Sequence, residues 1–149
     1  MLFLAGALWI ELFYFRIIPA GIGISHPVAR GGNSDLREGC GAAVYRVDQS
    51  TAKDIARLGI GYFPATSHSR KAADSYHTFG PWHPTPEAAY IHDDQTLLSP
   101  GLECAELDSQ LKNQIEAASR TPGSFFTYGS EKVLLVIPHL RLVVLSYNG

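Results

Sequence analysis

The sequence predicts an α+β protein: an N-terminal transmembrane helix followed by a small domain with an antiparallel sheet and two helices. Three observations predict it. Leu2 to Ile24 is apolar on every side of a helical wheel and, at about 1.5 Å per residue, long enough to cross a bilayer core. Lys132 to Tyr147, KVLLVIPHLRLVVLSY, sets two runs of branched apolar residues around a short Pro138–Arg141 connection, the pattern of a hairpin buried in mid-sheet. Between these ends, Thr51–Leu58 and Glu106–Arg120 repeat apolar residues at helical spacing. The organisation that follows is an anchor over residues 1–24, a linker over 25–39 and one α+β domain over 40–149.

In the N-terminal run, Glu11 would cost roughly 2.5 kcal/mol in a bilayer and Arg16 less if it snorkels, while each Leu, Ile or Phe returns about 0.3 to 0.6 kcal/mol. The sum favours insertion. An intramembrane carboxylate is by default a functional candidate, which makes Glu11 a contact for another membrane protein. A cleaved signal peptide, with Gly21 and Gly23 before the cut, and a buried or partner helix are the competing readings. Arg30 and Arg37 behind the run place the domain inside by the positive-inside rule. The two cysteines, Cys40 and Cys104, pull the other way, since an even count beyond an export-like segment fits an oxidising compartment. The expectation is an inner-membrane protein with its C-terminal domain in the periplasm. Ser25 to Gly39, with Pro27 and Gly31-Gly32-Asn33-Ser34, reads as the linker.

Within the domain, Ala42–Val47 half-alternates and reads as a first strand. Asp48 or Ser50 caps the helix Thr51–Leu58, which Gly59 stops. Gly61 to Ser99 is the irregular part. Its centre, Tyr76 to Pro86, is stiffened by three prolines and loaded with rings, so it reads as an ordered loop against the sheet. Asp108 caps the second helix, whose face is Leu107, Leu111, Ile115 and Ala118, and Thr121-Pro122-Gly123 ends it. Ser124–Tyr128, a turn at Gly129–Glu131 and the closing hairpin then make a three-strand meander. Because neither run of the hairpin alternates, both of its faces require cover: helices on one, the aromatic loop on the other.

The chain of 149 residues has a net charge of −2 and its twelve basic residues are scattered, which leaves no footprint for nucleic acid. There is no Walker loop, dinucleotide-binding turn, HExxH or serine nucleophile elbow, so no cofactor is expected. His77, His83, His92 and Asp94 supply imidazole and carboxylate in the 61–99 loop, but at no tight metal-binding spacing. The expectation there is no metal, with these four as the candidates. Trp82 and His83, between prolines, are candidate partner contacts, although packing is the commoner fate of such a Trp. Cys40 and Cys104 are candidates for a disulfide that would close the irregular middle of the domain, and as free thiols they are the candidate nucleophiles of a cysteine hydrolase.

CGAAVYRVD, PGSFFTY and LLVIPHLRLVVLSY together resemble segments that recur in this order in a group of short uncharacterised bacterial proteins. That resemblance, over Cys40 to Gly149, implies a bacterial origin and a single domain, and brings no activity with it. The functional expectation is a membrane-anchored bacterial envelope protein that binds another protein, as an immunity-like or accessory module, and is not an enzyme. The alternative is a small metal- or Cys-dependent hydrolase with its site in the 61–99 loop.

Overall fold

The structure is a computed structural model that describes residues 14–34, 39–70, 78–86 and 98–149. Its strands are β1 (Ile24–Ser34), β2 (Gly39–Val47), β3 (Ser67–His68), β4 (Thr78–Phe79), β5 (His83–Pro84), β6 (Phe125–Gly129), β7 (Lys132–Ile137) and β8 (Leu142–Asn148). Its helices are α1 (Gln49–Leu58), α2 (Ser99–Ala105) and α3 (Ser109–Arg120). Six strands form one antiparallel sheet in the order β1-β2-β8-β7-β6-β5, and β3 pairs with β4 separately. The hairpin β7–β8 sits at the centre, as its unbroken apolar runs demand. Successive side chains point to opposite faces. Leu134, Val136, Val143 and Leu145 therefore pack with Ile55 of α1, Phe79 and Trp82, while Leu135, Ile137, Leu142 and Val144 pack with Leu102 of α2 and Ile115 of α3. The helices thus divide between the two faces rather than sharing one, and the aromatic loop helps α1 cover its side.

The N-terminal run is where the sequence misleads. Among its described residues this run is helical only over residues 14–17, bridges from Pro19 to Ser69, and closes a turn from the Ile22 N–H to the Pro19 carbonyl at 3.1 Å. Ile18 and Ile22 are 0% and 2% exposed, in the same cluster as Val143 and Leu145. The Arg70 guanidinium gathers this segment by donating to the carbonyls of Ile18 (3.0 Å), Pro19 (3.1 Å) and Ile22 (2.6 Å), and it lies 4.5 Å from the centre of the Phe15 ring. Burial lowers the Arg70 pKa, with the Asp48 carboxylate acting in the opposite sense. The Tyr14 and Tyr147 hydroxyls meet at 2.6 Å over stacked rings, and the Tyr62 hydroxyl donates to the Gly21 carbonyl. Burial, and after it the bond to Tyr14, raises the Tyr147 phenol above its ordinary pKa.

The transmembrane expectation over Leu2–Ile24 is overturned by this packing. Among the described residues no helix is long and apolar enough to cross a membrane. The inner-membrane placement, and the periplasmic side assigned with it, rested on that span and are withdrawn with it. A signal-peptide cut after Gly21 would take Ile18 out of the core, and one after Gly23 would take Ile22 as well. The physical reason is that hydropathy alone does not distinguish a lipid interior from a protein one. Glu11 lies outside the described residues.

Residues 24–34, expected as linker, form β1, which pairs with β2 along its length. Its sequence hides this because Pro27 and the paired glycines read as breakers. A strand with one neighbour tolerates them: the register shifts between Ile24 and His26 and again between Pro27 and Ala29, as edge strands with proline commonly do. The second helix also begins later than expected. Glu106 takes a left-handed conformation, φ 52°, which separates α2 from α3, and the Asp108 carboxylate then caps α3 by accepting from the Gln110 and Leu111 N–H groups.

Helix α2 lies close on the sheet because glycines remove the obstacle. A Cβ at Gly101 would come 2.5 Å from the Gly41 carbonyl, and one at Gly31 would collide with the backbone of Ala105. That approach brings Cys104 of α2 onto Cys40 of β2 as a disulfide, with Cα atoms 5.8 Å apart and a sequence separation of 64. In the chain-entropy model a closed loop of that size contributes on the order of 4 kcal/mol. Replacing both cysteines by alanine is expected to lower the urea midpoint accordingly, and adding reductant to the unaltered protein should reproduce the shift. Identical midpoints for the oxidised protein and the double variant would contradict a bridge across α2 and β2.

Candidate functional site

At one end of the sheet, three pieces of chain surround an open groove of about 530 Å³. Helix α1 forms one wall. Its amphipathic spacing turns Ala52 and Ile55 to the core, and the next strip round the helix, Gln49, Lys53 and Ala56, to the groove. The opposite wall is the connection between β7 and β8, a 3₁₀ turn over Pro138–Leu140 that presents Pro138, His139 and Arg141. Phe125, at the start of β6, supplies the floor together with Ile55.

The turn is held firmly. Arg141 adopts a left-handed backbone, φ 52°, and its N–H donates to the Pro138 carbonyl at 3.0 Å. The Val47 N–H donates to the Arg141 carbonyl at 2.8 Å, while Arg141 Nε donates back to the Val47 carbonyl at 3.0 Å. Arg46 Nη1 adds a bond to the Leu140 carbonyl at 2.7 Å. With Nε committed in this way, the guanidinium is oriented before any ligand arrives. The floor is supported from the core by an aromatic row: Trp82 stacks on Phe63 at 4.0 Å, and Phe63 meets Phe125 at 5.5 Å.

The lining is one-signed. Lys53 and Arg141 are cations, His139 and Gln49 add polar donors, and none of the ten lining residues is acidic. Among the described residues neither cation has a carboxylate partner, and the nearby ion pair of α1, Arg57 with Asp54, is made elsewhere on its exposed surface. At the end of α1 and in the turn after it, Leu58 and Ile60 are 49% and 44% exposed.

The residues singled out from sequence are distributed otherwise. Trp82 immediately precedes β5 and His83 begins it, and the two side chains pack in different places and do not form one pocket floor. Trp82 is buried with its indole N–H donating to Ser67 Oγ at 3.0 Å, and His83 stacks between the rings of Phe126 and Tyr128 at 5.4 and 5.7 Å. His77, His92 and Asp94 lie outside the described residues. Among the described residues no group of three or more His, Cys, Asp and Glu side chains is placed to hold a metal ion. Cys40 and Cys104 are bonded to each other and present no thiol. The groove was missed because its polar residues come from a helix surface and a four-residue turn that read as connection. The signal available was His139 and Arg141 set between two purely apolar runs. No family model, curated protein or solved structure matches this chain.

Proposed function

We propose that the protein is a non-catalytic binding module, of accessory or immunity-like type, that docks a segment of another protein in the groove between α1 and the β7–β8 turn. The observation that supports this reading is the groove itself: a concavity with an apolar floor and oriented donors, built on a helix and a turn braced by reciprocal backbone bonds. Exposed Leu58 and Ile60 beside it extend the surface that a protein partner can cover.

A photo-crosslinking residue at Ala56, in the groove wall, tests it against the same residue at exposed Asn113 on α3. The Ala56 probe is expected to capture one defined protein that the Asn113 probe does not. That protein, purified, should bind the intact chain one to one, and Lys53→Glu should weaken binding at least about tenfold, the usual scale for reversing a charge within an interface. Equal background at both positions, or a captured protein indifferent to Lys53→Glu, would overturn the reading.

A further inference from the structure

We infer that the segment this groove accepts is acidic and partly apolar, a short run in which carboxylates alternate with Leu- or Phe-like side chains. The inference rests on the binding-module reading and adds the chemistry of its partner. Two cations without carboxylate partners among the described residues, Lys53 on α1 and Arg141 on the turn, stand on opposite walls, with His139 beside Arg141. Arg141 is only partly exposed, and its orientation is set by the bond from Nε to Val47, so its remaining N–H groups match the paired oxygens of a carboxylate. Phe125 on the floor, with Ala56 on one wall and Pro138 on the other, offers apolar contact. A ligand that satisfies both features carries negative charge and hydrocarbon within a few ångströms of each other, which a peptide of alternating acidic and apolar residues does.

Other polyanions fit less well. Nucleic acid and anionic bilayers are bound through extended positive surfaces, whereas this chain has a net charge of −2 and only scattered basic residues, two of which meet in this concavity. A small inorganic anion would leave the apolar floor uncovered. In an extended peptide alternate side chains point to opposite sides, so one set meets Phe125 and Ala56 while the other reaches the rim.

The test uses three capped, fluorescently labelled hexapeptides: Glu-Leu-Glu-Phe-Glu-Leu, the same with Gln for Glu, and the same with Lys for Glu. Titrated into the full chain at low salt, the Glu peptide is expected to bind about tenfold more tightly than the Gln peptide, and the Lys peptide not at all. The complex should shift the amide resonances of Lys53, Ala56, His139 and Arg141. Lys53→Glu with His139→Glu, both at exposed positions and therefore compatible with folding, should abolish the preference for the Glu peptide. Equal binding of the Glu and Gln peptides, tighter binding of the Lys peptide, resonance shifts elsewhere, or no binding by any peptide would each overturn the inference. A partner captured at Ala56 that docks through a neutral or basic segment would overturn this inference and leave the binding-module reading standing. Selective binding of the Glu peptide without any partner captured at Ala56 would do the reverse.

Discussion

A chain that begins at Ser25 is expected not to fold. Ile18 and Ile22 are fully buried against the central strands, and each contributes about 1.5–3 kcal/mol by leaving water. Their removal also takes away the three carbonyls that accept from Arg70, and hydrogen bonds to a charged group stabilise by about 1.5–3 kcal/mol. Together these approach the total stability of a small domain, about 5–15 kcal/mol. Ile18→Asp and Ile22→Asp in the full chain should have the same outcome, since each places an unpaired carboxylate beside Val143 and Leu145. Urea denaturation followed by circular dichroism reads the result. A shortened chain that kept a cooperative transition at an unchanged midpoint would show that residues 14–24 lie outside the core.

Leu135→Asp and Val144→Asp should be as damaging from the opposite face. The two residues are cross-strand partners at the centre of the sheet, both fully buried beneath α2 and α3. A carboxylate there has no partner, and uncompensated burial of a charge is among the most expensive single changes. Leu58→Asp is the control: at 49% exposure it should alter stability by no more than about 0.5 kcal/mol. A Leu135→Asp protein as stable as the Leu58→Asp protein would mean that the second layer of the fold has been assigned to the wrong face.

The parts of this fold that were legible in sequence are those in which a local pattern has one physical meaning. Unbroken apolar runs flanking Pro138–Arg141 had to be a central hairpin, because both faces of each strand need cover. Asp108 could be recognised as a cap, and Ala52 with Ile55 as the buried stripe of α1, since capping and helical periodicity act over a few residues. What was lost depends on partners distant in sequence. The run through Ile22 carries the same hydropathy whether lipid or β7–β8 surrounds it, and what distinguishes the two lies far away in sequence, in partners such as Arg70, which gathers its carbonyls, and Tyr62. β1 is a strand because β2 lies beside it, not because its own Pro27 and glycines favour extension. The groove has no local signature either, for Lys53 and Arg141 converge only once α1 has packed along the turn. Cys40 and Cys104, by contrast, could be considered together from sequence because there were only two to pair.

The burial of the N-terminal run is open to direct measurement through the rate at which a cysteine placed at Ile22 is alkylated under native conditions, with the Cys40–Cys104 bond intact and a Leu145→Cys protein as the reference. The packing described here predicts that both new thiols react only at the rate of global unfolding, so that the two rates coincide and rise together in urea. Prompt alkylation at Ile22 while Leu145→Cys stays protected would contradict it, and would place the apolar run outside the domain.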